Sequence, residues 1–290
     1  MFSNSIKLAM GYTRPVVLSK RLQNKQISSG MATFIVLNKE GWALTAAHVV
    51  QDVAVAAQHT KESEEYNKQV ALINSDESTS KGKKKFLINQ LKYSSEWITN
   101  NSVWWSGDGV GFDIIHFDSA ADLAVAKLNG PVEKLNVTNY PVFANIAPEL
   151  TQGTSLCRLG FPFHELKVSF DETTAGFRID NMPPSLATFP NDGICTRHVM
   201  CEDPSKRQIH FVETSSAGLR GQSGGPIFDV KGNVWALQSR TSSLSLGFAP
   251  KVKQNGREIT EHQFMHVGWG IHVSHIRELL EKLKVPFQSA

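Results

Sequence analysis

The chain has few cysteines. Cys157, Cys195 and Cys201 are the only three in 290 residues. An odd and sparse set of that kind does not read as the disulfide framework of a small secreted domain, and a reducing compartment is the simpler expectation. No apolar run reaches the length of a membrane span. The opening stretch MFSNSIKLAMGYTRPVV lacks the uninterrupted apolar core of a secretory leader. Net charge is also scarce, +3 from 30 basic and 27 acidic residues, which gives no strong pull toward nucleic acid or an anionic membrane. These absences together lead us to expect a cytoplasmic protein without nucleic-acid or membrane partners. The basic run KGKKK (81–85) does not change this. Residues 61–85 hold six lysines and five acidic residues, so the charges nearly cancel and a solvated loop is the plainer account.

What the chain does have is a core. At 41% apolar and 20% charged, it has the composition of a globular protein long enough to bury much of its surface. Strand-length apolar segments recur between turn signals: MATFIVL (31–37), WALTAA (42–47), DLAVAKL (122–128), SLCRLGF (155–161), QIHFVET (208–214), NVWALQS (233–239) and HVGWGIHV (266–273). Turn-forming runs at 38–41 and 229–233 suit hairpins. Such spacing predicts β-barrels or a sandwich, not alternating βαβ units. Two segments depart from it. SHIRELLEKL (274–283) puts Ile276, Leu279, Leu280 and Leu283 on one helical stripe, ended by Pro286. Within 52–100, the first part suits a helix, and SDESTSKGKKK reads as a polar, flexible tract.

One stretch crowds four glycines and a proline around a single serine: GLRGQSGGPIFD (218–229), with Ser223 at its centre. Glycine clusters cost backbone entropy. A tight turn is one account of the cluster. A loop whose N–H groups converge on a reacting atom is the other, and it requires a base and an orienting acid elsewhere. His48 in WALTAAHVV offers the base, at a strand end between small residues. Asp122, leading the apolar strand in DSAADLAVAKL, offers the acid, because a carboxylate drawn into a core needs a hydrogen-bonding partner. Asp118 and Asp113 are its rivals. The chain order is then His, Asp, Ser.

These three motifs resemble those of the trypsin/chymotrypsin-like serine peptidases: TAAHVV the histidine motif, DLAVAKL the aspartate motif, and GQSGGPIFD the Gly-x-Ser-Gly-Gly-Pro serine motif. The low cysteine content and the closing GWGIHVSHIRELLEKL are more similar to the bacterial HtrA-type branch, and no following PDZ-like domain is expected. The resemblance implies an all-β fold of two antiparallel six-stranded β-barrels with a C-terminal helix. A single peptidase domain would span 1–290. Its first barrel would cover about 30–140, with an insertion at about 52–112. The second would cover about 141–273, and the helix about 274–284. It also implies a catalytic triad of His48, Asp122 and Ser223, an oxyanion hole from the N–H groups of Gly221 and Ser223, a polypeptide substrate, and no cofactor.

The sequence departs from the zymogen-type pattern at Gln222, where those enzymes carry an aspartate, so activation by propeptide cleavage is not expected. Ala217, six residues before the serine, gives no support for cleavage after Lys or Arg. Gln238, Ser239 and Arg240 are the other candidates for the substrate pocket. A small or medium apolar residue before the scissile bond is the first choice, and Arg240 or Arg220 leaves an acidic one open. Cys195, His198 and Cys201 have a Cys-x-x-His-x-x-Cys spacing, but an ordinary loop with free thiols is the simpler reading, and no metal is expected. The Trp104-Trp105 pair reads as core packing. Two alternatives to a free-standing enzyme stay open: a catalytically silent protease-like scaffold that binds peptides or proteins, and a protease latent until a regulatory partner engages the 52–112 insertion.

Overall fold

The computed structural model describes residues 1–183, 185–254 and 257–290. A short helix, α1 (Ser3–Tyr12), leads directly into the first sheet: β1 (Thr13–Leu22), β2 (Ile27–Val36), β3 (Trp42–Thr45), β4 (Ile98–Trp104), β5 (Gly111–Asp118) and β6 (Leu123–Asn129). Its strand order is β4-β1-β2-β3-β6-β5, antiparallel throughout. Among the described residues β4 and β5 pair on one side only, so this sheet curls without closing.

The second sheet draws on β7 (Val142–Phe143) and β8 (Ser155–Gly160), then, after the hairpin of β9 (Val168–Asp171) and β10 (Gly176–Ile179), on β11 (Phe189–Glu202), β12 (Gln208–Thr214), β13 (Pro226–Phe228) and β14 (Asn233–Ser245). A further hairpin, β15 (Lys251–Gln254) with β16 (Arg257–Thr260), precedes β17 (Phe264–His272), and β18 (Gln288–Ser289) ends the chain. The order is β13-β8-β11-β12-β17-β14-β7-β18, and an added β13–β14 pairing joins six of these strands into a ring. The fold is therefore mostly β, with, among the described residues, eight strands in the second sheet rather than six and only one of the two large sheets closed by its pairings.

The helices were only partly expected. α4 (Val273–Lys282) buries Ile276, Leu279 and Leu280 on the stripe read from the sequence. α2 (Ala47–Ser75) is 29 residues long and starts one residue before His48. α3 (Lys81–Gln90) forms where a flexible tract was expected, because the Ser80 hydroxyl caps it by accepting from the Lys83 N–H. Tyr66 on α2 packs against Tyr93 and Trp97, with ring centroids 5.1 and 6.1 Å apart, and this fixes the helical arm to the barrel side.

Two expected boundaries are corrected. The first sheet begins at Thr13, not near residue 30. β1 was hidden by Pro15 and its basic residues, and Pro15 is tolerated because β1 pairs β4 only from Val17 onward. The 52–112 segment is not wholly an insertion, since β4 lies within it and pairs with β1. Trp105 is fully buried, with its ring 4.8 Å from those of both Phe34 and Phe112, as core packing requires. The main core lies between the sheets and α1, and takes in Phe2, Tyr12, Leu44, Leu159, Phe228 and Ile271.

Candidate active site

His48 is delivered by the end of β3. Thr45, Ala46 and Ala47 are all buried, and Ala46 is the residue before the first turn of α2. Small side chains are needed here because the serine loop presses against this segment. A β-carbon at Gly224 would lie 2.2 Å from the Thr33 carbonyl and 2.3 Å from Thr45 Oγ1. Gly224 also has φ +82°, a conformation costly for other residues.

Asp122 sits just before β6 with φ 52°, in the left-handed region that Asp tolerates better than most residues. The residue is 8% exposed and its carboxylate is held by three donors. The His48 backbone N–H donates to Oδ1 at 2.9 Å, His48 Nδ1 lies 2.9 Å from Oδ2, and the Ser239 hydroxyl donates to Oδ2 at 2.6 Å. Burial alone would raise the Asp122 pKa. The hydrogen bonds and charge of His48, with the Ser239 hydroxyl, more than offset it and hold the group below the usual carboxylate range.

The rival acids are engaged elsewhere. Asp118 accepts from the Ala120 and Ala121 N–H groups and from both terminal nitrogens of Arg207, at 2.6 and 2.8 Å. Asp113 accepts from Asn129 Nδ2.

Ser223 is placed by a loop braced at several points. The Thr33 N–H donates to the Ser223 carbonyl at 2.9 Å, and the Thr33 hydroxyl donates to the Gly221 carbonyl at 2.6 Å. Gly221 has φ +98°, and a β-carbon there would lie 2.3 Å from the Phe161 carbonyl. Gln222 is fully buried. Its Oε1 accepts from the Leu219 N–H at 3.0 Å and its Nε2 donates to the Phe189 carbonyl at 3.1 Å. Among the described residues, the N–H groups of Gly221 and Ser223 have no internal acceptor. His48, Gly221 and Ser223 line one open cleft of about 890 Å³. No hydrogen bond joins Ser223 Oγ to His48 among the described residues.

The four expected pocket residues behave differently from one another. Ser239 is buried and turned onto Asp122, so it is a partner of the acid and not a pocket wall. Gln238 is buried beneath Gly218, where a β-carbon would meet its Nε2 at 2.2 Å. Arg240 is exposed and lies over the Phe211 ring at 4.9 Å, near Trp269 as well. Ala217 is half-buried, and its carbonyl accepts from Asn191 Nδ2.

Sequence reasoning missed Arg158. This residue of β8 is fully buried, donates to the Ser216 carbonyl at 2.8 Å and to the Thr214 hydroxyl, and stays charged at neutral pH although burial pulls its pKa down to about 10. The available signal was a lone arginine inside the apolar strand SLCRLGF.

A second polar cluster lies away from the cleft. His198, His210 and His272 bring ring nitrogens within 4.8 Å of one another, without either cysteine of the Cys-x-x-His-x-x-Cys run, which lies along β11. His210 and His272 stack at 4.0 Å with 21° between their planes, so their lone pairs run side by side and do not converge on one ion. His198 Nδ1 lies 2.7 Å from His210 Nε2, a proton-sharing contact. This geometry suits neutral imidazoles better than a metal.

Comparison with known proteins bears on the whole chain. No curated protein matches it significantly. Among solved structures, the Rv3671c protease from M. tuberculosis, in its active form, is similar in fold. Its TM-score is 0.51 at 12% sequence identity, covering 99% of this chain and 86% of that one. The family described as the trypsin-like peptidase domain matches residues 32–237, which hold His48, Asp122 and Ser223. With its mostly β fold and its serine loop braced against the end of β3, the chain belongs to the trypsin-like peptidase domain family, and is a serine protease by that membership.

Proposed function

We propose that the chain is a serine endopeptidase that cleaves polypeptides through an acyl-enzyme on Ser223. The observation that carries this reading is the triple grip on Asp122. Held by two donors from His48 and one from Ser239, the carboxylate fixes the imidazole with Nδ1 inward and leaves Nε2, on the opposite ring edge, for the cleft. Ser223 Oγ attacks the scissile carbonyl as His48 Nε2 takes its proton. His48 then gives that proton to the leaving amine, and Asp122 stabilises the imidazolium between the two steps. The Gly221 and Ser223 N–H groups receive the oxyanion, and each such donor is worth about 3 kcal/mol in comparable sites. Only side chains and backbone take part, so no cofactor is required.

The whole chain acts as one peptidase unit, with the open first sheet and the six-strand ring of the second as its two halves. Its three cysteines are free thiols, which fits a cytoplasmic setting. No helix of the described residues is long and apolar enough to cross a membrane. The slot for the residue before the scissile bond is backed by Gln238 and Arg158, which favours a small residue there. The test is hydrolysis of a denatured protein substrate by wild type and Ser223→Ala. Cleavage that persists at the wild-type rate in the variant rules the reading out.

A second reading rests on the missing Ser223–His48 hydrogen bond. His48 stands in the first turn of α2, whose far part joins α3 in an arm with exposed Leu72 and Phe86. A regulatory protein that grips this arm acts on the helix that carries the base. Purified chain that gains activity only on addition of a cell extract would favour this latent form.

A further inference from the structure

The cleft shared by His48, Gly221 and Ser223 runs to one side of them. It follows the first turns of α2, past Val49, Asp52 and Val53, and is walled by the β1–β2 hairpin, β4 and the 161–166 loop. None of Ala217, Gln238, Ser239 or Arg240 borders it. On that opposite side the space is filled from behind by protein. A β-carbon at Gly218 would lie 2.2 Å from Gln238 Nε2, and one at Gly268 2.3 Å from Arg158 Nη2. The Thr241 hydroxyl ties across to the Gly218 carbonyl at 2.7 Å.

A peptide bond at Ser223 divides a substrate into an acyl half and a leaving half. His48 has to protonate the leaving amine, so the leaving half lies along the histidine side, where the open cleft is. At about 890 Å³ the cleft is within the range of sites that enclose a ligand of several groups. Its surface is largely apolar, from Leu18, Met31, Val103, Phe161, Phe163 and Leu166. Of the charged residues at its border, Lys20 and Asp52 neutralise each other at 2.8 Å, and Glu165 and Arg220 are of opposite sign. Its walls are joined in advance. The Ser29 hydroxyl donates to the Leu166 carbonyl at 3.2 Å, and Arg21 pairs with Glu172 while lying 4.6 Å over the Phe170 ring. A cleft so braced needs little ordering when a chain enters it.

We infer that this peptidase selects its substrates mainly by the residues on the C-terminal side of the scissile bond, taking a bulky apolar residue such as Leu, Met or Phe in the first leaving-group positions. The inference rests on the assignment of Ser223 as nucleophile. It is read most directly in the first half of the reaction run backwards. An amine in the leaving-group site attacks the acyl-enzyme carbonyl, the ester bond to Ser223 Oγ breaks, a C–N amide bond forms, and the amine proton passes through His48 to Ser223 Oγ.

The experiment acylates the full-length protein with the 4-nitrophenyl ester of N-acetylalanine and measures how the acyl group divides between water and added amino-acid amides. Leucinamide and phenylalaninamide should capture it at least about tenfold better than glycinamide or aspartic acid α-amide, the discrimination expected of an apolar pocket. In the double variant Phe163→Ala, Leu166→Ala that preference should shrink to about threefold or less. Phe163 is 73% exposed, so its loss does not open the core, and the wild-type amide series decides the question without any variant. A burst of nitrophenol with equal capture of all four amides overturns the inference while leaving the acyl-enzyme standing. No burst, with no acyl group on Ser223, overturns the nucleophile assignment and this inference with it.

Discussion

The hydroxyl of Ser239, on β14 of the second sheet, donates a 2.6 Å hydrogen bond to Asp122, which leads β6 of the first. One bond thus carries the register of one sheet to the acid held by the other. In Ser239→Ala the buried carboxylate loses one of its three donors. The carboxylate should then accept more strongly from His48, and the acid limb of the kcat/KM profile, where the base must be unprotonated, should move to higher pH. The loss in kcat/KM should be about tenfold, near the value of one hydrogen bond to a charged group. A profile that keeps its acid limb in place would show that Ser239 only packs.

Asp122→Asn should lower kcat by about 10⁴-fold, the size found when a triad aspartate is made neutral and the histidine tautomer is lost. Asp118→Asn should leave kcat nearly intact and lower the melting temperature, because it weakens the pair with Arg207 at 2.6 and 2.8 Å. Steady-state kinetics and thermal melts on both variants would separate the two. The opposite pattern would move the acid to Asp118.

Gln222→Ala should lower kcat with little change in KM. The amide holds Leu219 on one side and Phe189 on the other, and this fixes the turn that presents the Gly221 and Ser223 N–H groups. A tag fused before Met1, which is 92% exposed, should not alter activity. Removing α1 is another matter. Phe2 and Tyr12 are core residues, and Phe2→Ala alone should cost about 3 kcal/mol in denaturant unfolding.

The histidine cluster predicts acid sensitivity. The His272 pKa is lowered from 6.5 to about 3, first by burial, then by His210, His198 and His275. Those of His210 and His275 are also lowered, again chiefly by burial. The charged groups that face the cluster are Glu149, Glu278, Arg207 and Asp118. A histidine whose folded pKa lies below its unfolded one contributes stability above pH 6.5 that is lost as the pH falls toward 3. For His272 the loss between pH 6 and 4 should be on the order of 2 kcal/mol. Urea midpoints across that range would show it, and His272→Leu should flatten the slope. An unchanged slope would place the charge loss elsewhere.

The sites legible in the sequence were those fixed by local chemistry. The Gly-rich serine loop, the small residues around His48 and the apolar strand behind Asp122 each carry their own signal, and the structure brings all three to one cleft or its rim. Contacts that join distant segments left no such trace. Nothing local in NVWALQS marks Ser239 as a partner of Asp122, 117 residues away, and nothing in MATFIVL marks Thr33 as the brace of the serine loop. β1 was masked by its proline and basic residues. α3 was masked by its lysines, which the Ser80 cap allows to stand in a helix facing solvent.

The most direct test of the central claim is the site of a fluorophosphonate adduct. Full-length protein would be treated with the reagent, digested and mapped by mass spectrometry. The account predicts one adduct, on Ser223, absent from Ser223→Ala and slowed by orders of magnitude in His48→Ala. An adduct on another residue, or labelling of Ser223 at the same rate without His48, would contradict it.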